Sequence, residues 1–416
     1  MFKSPHVLVI GASGRFLAQS AVLAGWQVSV IDLFCDLDTQ QFCSSSNQIN
    51  TAELSIGGAY KVDALGDLRF GEKIGVGEVF KGVESDRRAK LYTIVFSGGA
   101  ENYAEFFRPG FWPVSKIAGP SESSIKRLLS WSIIQNVCQR HQIQTPRTIF
   151  APDHAIDNRT TWLKKQIRSG GGLHLQLWTH GEEVEFGEGF YLQEKMDGPT
   201  VSGCFVAKQE EGRVTTVLLG ACRQLPNENL NDFRYQGSLG PVQLDARDHE
   251  EMERVGRRIA SEFFLNGVFG IDFILSENGL HLVDTNPRIP ASAELIERYY
   301  RISRSDFTIV GVHLDATERG QIPSPIKDFR EPVFSKTIIY LDSQFPLVVN
   351  EKMVEHFKGS PWLTDVPAIG TLINPCHPVI TVHAEAQDEQ SLTVESIRRI
   401  KKIRAMLSGR IQPSQK

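Results

Sequence analysis

The hydrophobic pattern at the start of the chain predicts alternating strands and helices. Residues 7–10 are a continuous apolar run, residues 15–24 have helical spacing, and residues 27–32 form a second apolar run. A further run at residues 93–96 leads into the polar loop 97–102. This order predicts a βαβ unit in a parallel sheet, with the loop at the carboxyl end of a strand, where open α/β sheets bind ligands.

The turn between the first strand and the first helix contains Gly11 and Gly14. Asp32 ends the second strand about twenty residues later, the spacing of a dinucleotide site. The turn lacks the complete G-x-G-x-x-G pattern of such sites. We therefore favour a Rossmann-like structural or substrate-binding domain, with dinucleotide binding as the alternative.

A lysine followed by a glycine-rich turn marks the middle of the chain. Residues 162–165 have the pattern of a strand that ends in Lys165, and Gly170, Gly171 and Gly172 follow before the next strand-like segment. Backbone N–H groups in such a turn can approach phosphate oxygens, and the ammonium neutralises their charge. A flexible surface turn is the alternative interpretation.

Residues 190–199 predict a strand that leads into a polar connector, whose residues are Glu194, Lys195, Met196 and Asp197. Backbone groups of such a connector can hydrogen-bond an adenine edge, and the Asp197 carboxylate can bind ribose hydroxyls. A strand end with solvated charges is an equally good interpretation of this segment alone.

Two later apolar strands carry oxygen ligands where a core hairpin has no need of them. Asp272 lies in the first strand, and Asp284 and Asn286 lie at the end of the second. Burying such groups costs several kcal/mol unless a cation or partner compensates. Three hard oxygen donors close together are what a magnesium ion bridging phosphates requires.

The register of this hairpin decides whether those side chains meet. A three-residue loop at 277–279, with Gly279 left-handed and Ser276 opposite Leu280, places Asp272 opposite Asp284 and Asn286 on the same face. A two-residue loop at 278–279 places the carboxylates on opposite faces. We predict the three-residue loop.

The remaining pattern predicts one helix at 121–142, strands at 201–206 and 214–225, and a helix at 250–265. Strands at 335–342 and 379–384 and a basic helix at 391–407 follow. The chain has 416 residues and a net charge of -4, so no basic footprint indicates nucleic-acid binding, and no apolar run approaches the length of a membrane span. Six cysteines without C-x-x-C spacing predict reduced thiols in a cytoplasmic protein.

These motifs in this order resemble the ATP-grasp superfamily, and more closely its predicted carboligase branch, which is related to biotin carboxylase and the large chain of carbamoyl-phosphate synthetase. The resemblance covers nearly the whole chain and implies an α/β ATP-grasp fold. The implied parts are a Rossmann-like pre-ATP-grasp domain (1–115), a small lid subdomain (116–190), a nucleotide- and metal-binding subdomain (191–325) and a β-rich C-terminal domain with a terminal helix (326–416).

The resemblance also implies an ATP-dependent carboxylate–amine ligase that forms an acyl phosphate and releases ADP and phosphate. Its implied substrates are small molecules of an amino-acid or glutamyl type. Mg²⁺, with Mn²⁺ as the alternative ion, is implied at Asp272, Asp284 and Asn286. Implied catalytic residues are Arg288, Asn286 and Lys165, and implied nucleotide contacts are Lys126, Lys165, Gly170, Gly171, Gly172, Glu194, Lys195, Met196 and Asp197.

The chain departs from the family pattern at three points. Gln166 follows Lys165 where many members have proline, Lys126 is the nearest candidate for a first nucleotide lysine, and aspartates replace the metal-binding glutamates of biotin carboxylase. An NAD(P)-dependent oxidoreductase and a non-catalytic nucleotide-binding regulatory protein are the alternative functions. We expect neither nucleic acid nor a membrane as a partner, and a homodimer is left open.

Overall fold

The computed structural model describes residues 6–45, 59–61, 92–112, 115–151, 156, 159–186, 189–227 and 232–408. The N-terminal part is a five-stranded parallel sheet in the order β3-β2-β1-β4-β5. The apolar runs of its central strands are completely buried, as both faces of a parallel sheet are covered. Its elements are β1 (His6–Ile10), α1 (Arg15–Leu23), β2 (Gln27–Asp32), α2 (Leu37–Ser45), β3 (Ala59–Lys61), β4 (Tyr92–Phe96) and β5 (Ser115–Ala118).

Asp32 stabilises the turn beside it. Its carboxylate accepts backbone N–H bonds from Gly14, Phe34 and Cys35, and its side chain is 1 % exposed. Because the carboxylate is buried and already bonded to the backbone, it is not presented to a ribose. The βαβ unit is confirmed. Asp32, which would bind the ribose in a dinucleotide site, instead has a structural role here.

Two helices connect the N-terminal sheet to the next subdomain, where the sequence predicted one. They are α3 (Glu122–Leu128) and α4 (Trp131–Arg140). Ser130 between them has an extended backbone, which interrupts the helical hydrogen bonds and lets α4 turn its buried face, including Trp131, toward the core. The apolar period alone did not reveal this break.

A small antiparallel sheet follows, in the order β6-β9-β7-β8. Its strands are β6 (Thr148–Ile149), β7 (Trp162–Gln166), β8 (Leu175–Trp178) and β9 (Phe190–Glu194). Since β9 pairs with both β6 and β7, this sheet extends to Glu194, and the predicted boundary between residues 190 and 191 falls inside β9.

An eight-stranded sheet in the order β14-β13-β10-β11-β12-β15-β19-β17 forms the rest of the core. It continues across the predicted boundary at 325, because β12 pairs with β15. The strands are β10 (Thr200–Glu210), β11 (Arg213–Gln224), β12 (Gly237–Gly240), β13 (Gly267–Ser276), β14 (Gly279–Asn286), β15 (Val333–Tyr340), β17 (Leu363–Thr364) and β19 (Pro378–Ala386), and β16 (Leu347–Val348) and β18 (Leu372–Ile373) form a separate ribbon.

Helices cover this sheet, and those at residues 246–263 and 389–408 correspond to the helices predicted at 250–265 and 391–407. Asp245 caps one of these helices, because its side chain accepts a hydrogen bond from the N–H of Asp248. This helix begins at Ala246, whereas the sequence predicted a start at residue 250. No helix in the described part of the chain is long and apolar enough to cross a membrane. The helices are α5 (Ala246–Phe263), α6 (Ala293–Ser303), α7 (Ile309–Leu314), α8 (Glu351–Lys358) and α9 (Glu389–Ser408).

A buried ionic cluster joins the N-terminal domain, α6 and the C-terminal strands. Arg15 donates two hydrogen bonds to Glu294, at 2.7 and 2.8 Å, and one to Asp365, while Lys336 lies 2.9 Å from Glu294. Burial alone would raise the pKa of Glu294, but the two cations hold that pKa well below its usual range. The cluster therefore fixes the relative positions of three parts of the chain.

Candidate nucleotide and metal site

The hairpin of β13 and β14 brings the two predicted carboxylates together. Asp272 lies directly opposite Asp284, and Asn286 lies opposite Gly270. The Asn286 amide nitrogen donates a hydrogen bond to Asp272 Oδ2 at 3.1 Å. Because side chains alternate along a strand, the three oxygen-bearing residues share one face, as predicted.

The turn that produces this register differs from the prediction. Ser276 pairs with Gly279 rather than with Leu280, so the turn itself contains only residues 277 and 278. A β-bulge at Val283 adds one residue to β14 and restores the carboxylates to facing positions. The predicted three-residue loop is wrong. The bulge at Val283, several residues from the turn, shifts the register by the one residue that the loop was predicted to add.

Lys165 contacts the residue that the bulge leaves unpaired. Its Nζ donates to the carbonyl oxygen of Val283 at 3.2 Å and to Gln193 Oε1 at 3.0 Å. Burial lowers the pKa of Lys165, whereas the charges of Asp284 and Asp272 act in the opposite direction. The strand lysine and the paired carboxylates therefore belong to one site.

Asp284 is exposed to solvent, yet the surrounding protein desolvates it enough to raise its pKa to about 6, with Lys165 acting in the opposite direction. Asp272 is half-buried and accepts a hydrogen bond of 2.5 Å from Ser202 Oγ. Burial also raises the pKa of Asp272. Carboxylates in such an accessible but poorly solvated place are typical of sites that a cation completes.

The donor set fits a magnesium ion that shares its coordination with phosphates. Such an ion commonly takes one or two carboxylates and substrate oxygens rather than a cage made only of protein. The hairpin supplies two carboxylates and the Asn286 amide. Within the described residues, no group of three or more His, Cys, Asp or Glu side chains could hold a metal by itself.

Two aromatic rings and the hydrogen-bonded side chains of Gln193 and Thr148 lie around the Lys165 ammonium. Its Nζ lies 5.6 Å from the ring centre of Trp131 and 5.9 Å from that of Tyr191, and these two rings are nearly parallel. The Thr148 hydroxyl donates to a backbone carbonyl and accepts from Trp131 Nε1 and Gln193 Nε2. Because its one proton is used, Thr148 turns the oxygen of the Gln193 amide toward Lys165.

The glycine-rich turn lies against the loop that precedes β12. Gly171 and Gly172 have φ of +59° and +74°, and the carbonyl oxygen of Gly171 accepts a 2.9 Å hydrogen bond from the Tyr235 N–H. A Cβ on Gly172 would lie 1.8 Å from the carbonyl oxygen of Phe233. The close approach therefore requires glycine at position 172.

The predicted connector continues directly from β9. The Glu194 N–H donates to the carbonyl oxygen of Arg147, and the Lys195 N–H donates to that of Thr161. Asp197 is exposed, 3.4 Å from Lys195 Nζ. Both N–H groups are therefore already bonded within the protein.

Arg288 connects the hairpin of β13 and β14, called the metal hairpin after its predicted ligands, to the N-terminal domain. Its Nε donates to Glu101 Oε1 at 3.0 Å and its Nη2 donates to Asn286 Oδ1 at 2.9 Å. Gly98 lies beside the guanidinium, because a Cβ there would be 3.6 Å from its central carbon. The loop 97–102 thus borders the site, as the position of β4 predicted.

Lys126 lies apart from these contacts. It is exposed on α3, and its Nζ pairs with Glu122 at 2.8 Å. Among the described contacts, those of Lys165 and the hairpin do not include Lys126. The structure thus brings together the predicted metal residues, Lys165 and Arg288, and gives Lys126 a helical ion pair.

Residues 131–292 match the family model of the ATP-grasp domain. This segment, which is less than half of the chain, is similar to the ATP-grasp domain family. A 30% identical segment of 152 residues occurs in an uncharacterised protein of Methanocaldococcus jannaschii, and one 24% identical over 160 residues occurs in D-alanine–D-alanine ligase of Fusobacterium nucleatum. Each alignment covers 36% of this chain, and they span 34% and 53% of the two relatives, respectively.

Solved structures show the same fold over nearly the entire chain. Biotin carboxylase from Campylobacter jejuni has a TM-score of 0.66 at 12% identity, covering 93% of this chain and 89% of that one. N5-carboxyaminoimidazole ribonucleotide synthetase from Thermotoga maritima has a TM-score of 0.61 at 12% identity, covering 96% and 98%. The ATP-grasp fold predicted from the sequence is confirmed.

Sequence reasoning missed several side chains at the candidate site. Trp131 was predicted only as part of a helix, and Tyr191 and Gln193 only as part of the strand that leads into the connector, whereas all three contact Lys165. Glu101 was included only as part of a loop. Its Arg288 partner is 187 positions away in sequence, and local pattern carries no signal for such a pair.

Proposed function

We propose that this chain is an ATP-dependent carboxylate–amine ligase that activates its acid as an acyl phosphate. The observation that carries the proposal is the facing pair Asp272 and Asp284 with the Lys165 ammonium on the intervening bulge. This arrangement combines oxygen ligands for a phosphate-bound cation with a fixed positive charge. It also explains the acidic and amide side chains that an ordinary hairpin does not need.

In the proposed reaction, a substrate carboxylate attacks the γ-phosphate of ATP, and an amine then displaces phosphate from the acyl phosphate. Asp272, Asp284 and Asn286 would hold Mg²⁺, which neutralises phosphate charge when bound. Lys165 supplies positive charge to the nucleotide phosphates. Arg288, next to the hairpin, stabilises charge on the transferred phosphoryl group or on the acyl phosphate.

The glycine-rich turn has a protective role in this proposal. An acyl phosphate hydrolyses if water reaches it, so the turn at residues 170–172 would cover the nucleotide during the reaction. The contact between Gly171 and Tyr235 supports this role because it gives the turn a docking position. The connector at 194–197 would bind the adenosine end of the nucleotide.

The substrate class is an amino acid or a glutamyl-type acid, joined to an amine in the biosynthesis of a cofactor or small molecule. A relative with a similar segment, the D-alanine–D-alanine ligase, joins amino acids according to its name. The alternative NAD(P)-dependent function is less well supported, since Asp32 is buried and bonded to backbone N–H groups.

The test is incubation with Mg-ATP and a panel of acids and amines, with ADP release as the measurement. We expect ADP release that depends on one acid, and amide formation that depends on both substrates. Asp284→Asn is the matched inactive control. Nucleotide binding without turnover across a broad panel would instead favour a non-catalytic nucleotide-binding protein.

A further inference from the structure

Glu101 holds one carboxylate oxygen without a protein partner. Oε1 accepts the hydrogen bond from Arg288 Nε, while Oε2 is buried and has no hydrogen-bond partner within the described structure. The Glu101 residue is 8 % exposed. A buried carboxylate oxygen without a donor costs free energy, and a hydrogen bond from a ligand or a water would remove that cost.

The geometry of this pair differs from that of a purely structural ion pair in the same protein. Arg15 and Glu294 use both guanidinium Nη atoms and both carboxylate oxygens. Arg288 and Glu101 meet through a single hydrogen bond. A two-point pair consumes both oxygens, whereas the one-point pair leaves Oε2 available.

The unpaired oxygen lies beside the proposed reaction centre. Glu101 contacts Arg288, Arg288 contacts Asn286, and Asn286 contacts Asp272. The Arg288 guanidinium donates to Ile289 O through Nη1 and to Asn286 through Nη2, which leaves one N–H on each terminal nitrogen without a described protein acceptor. The Glu101–Arg288 pair therefore has one unpartnered acceptor and two such donors, and Arg288 connects the pair to Asn286.

We propose that Glu101 binds the amine substrate and accepts its proton, an inference that rests on the ligase function proposed above. The substrate class is a primary amine that is protonated at neutral pH. Its ammonium gives one proton to Glu101, and the nitrogen lone pair then attacks the acyl carbon. The carbon–oxygen bond to phosphate breaks, phosphate leaves with that electron pair, and the second nitrogen proton goes to phosphate.

Glu101→Gln separates this function from the orientation of Arg288. The glutamine oxygen can still accept from Arg288 Nε, while its NH₂ group replaces Oε2 and changes an acceptor into a donor. Glu105 lies in the short helical turn Ala104–Phe107, which follows the loop 97–102. Glu105→Gln therefore removes an equal charge near the proposed site but not at Glu101. It is the matched control.

The two half-reactions give the decisive measurement. With the acid that supports ADP release, hydroxylamine, which is neutral at pH 7, traps the acyl phosphate as a hydroxamate. We expect Glu101→Gln to keep the wild-type rate of hydroxamate formation and to lose amide formation with protonated amines about a hundredfold. Equal loss in both reactions, or no loss in either, overturns the proposal.

A binding experiment keeps this inference separate from the ligase proposal. Wild-type protein with Mg-ADP is titrated with ammonium and the twenty amino acids in a thermal-shift assay. We expect one amine to stabilise the wild type and the Glu105→Gln control but not Glu101→Gln. If no acid supports ADP release, the ligase proposal fails, and equal amine binding by all three proteins, or by none, still overturns the role of Glu101.

Discussion

Lys165 donates a hydrogen bond to Val283, the residue that a β-bulge removes from the pairing between β13 and β14. The bulge frees a backbone carbonyl, and a buried carbonyl requires a donor. The lysine is therefore fixed by the same irregularity that places Asp272 opposite Asp284. The bulge therefore sets the positions of the Lys165 ammonium and of both carboxylates.

Asp284→Asn is expected to abolish nucleotide turnover without destabilising the fold. Loss of the carboxylate is expected to lower kcat/KM for ATP about a hundredfold or more. Because desolvation raises the pKa of Asp284 to about 6, the ionised side chain opposes folding near neutral pH, and neutralising it keeps or increases the free energy of unfolding. ADP release and urea unfolding measure the two effects. A variant with full activity would refute the assigned role.

Thr148 is expected to affect nucleotide binding although it lies behind Gln193. Thr148→Val removes the hydroxyl that orients the Gln193 amide, so Mg-ATP binding is expected to weaken about tenfold, as for other residues that orient a ligand-binding group. Thr148→Ser keeps the hydroxyl and is expected to bind as the wild type does. Calorimetry measures both affinities, and equal weakening in the two variants would indicate a packing effect instead.

Gly172→Ala is expected to displace the glycine-rich turn from the Phe233 backbone. Its Cβ would meet the Phe233 carbonyl oxygen at 1.8 Å, whereas a Cβ on Gly171 has no atom within 4 Å. Both positions have positive φ, so Gly171→Ala controls for backbone strain. We expect faster tryptic cleavage after the exposed Arg168 in Gly172→Ala than in Gly171→Ala. Equal cleavage would show that the contact does not hold the turn.

His313 is expected to make stability depend on pH. Its Nδ1 accepts from the Val268 N–H, its Nε2 donates to the Ala118 carbonyl oxygen, and burial lowers its pKa to about 4. Between pH 6.5 and 4 the unfolded chain binds the additional proton, so the folded state loses about 3 kcal/mol as pH falls.

His313→Gln tests this dependence because a glutamine carries one acceptor and one donor group but does not titrate. The difference in free energy of unfolding between wild type and variant, measured in urea at pH 7 and pH 4.5, is expected to shift against the wild type at low pH. Other titrating groups cancel in this difference. A difference that stays constant with pH would exclude His313 as the cause.

Local patterns predicted the elements of this fold well because burial on one or both faces leaves a direct signal. The βαβ unit and the C-terminal helix follow from apolar period alone. The break at Ser130 and the bulge at Val283 did not follow, since both depend on what the chain packs against. Gly279 has a positive φ as predicted, yet the residues that form the turn were assigned incorrectly.

The site was predictable where its residues are neighbours in sequence. Asp272, Asp284 and Asn286 lie on one hairpin, so the sequence predicted that they meet, although the bulge and not the predicted loop produces that register. The partners of Lys165 and Arg288 come from distant segments, which only tertiary packing brings close. The facing carboxylates of the candidate site were therefore visible in the sequence, and the groups that orient the charged side chains were not.

The two-residue turn at Glu277 and Asn278 is exposed, and the bulge rather than the turn aligns the metal hairpin. The tip of the hairpin is thus open to protein engineering. A reporter peptide inserted there, or new termini from a circular permutation, would leave the alignment of the carboxylates to the strand residues beyond it. The inserted peptide would report movement of the hairpin without a label on any residue of the candidate site.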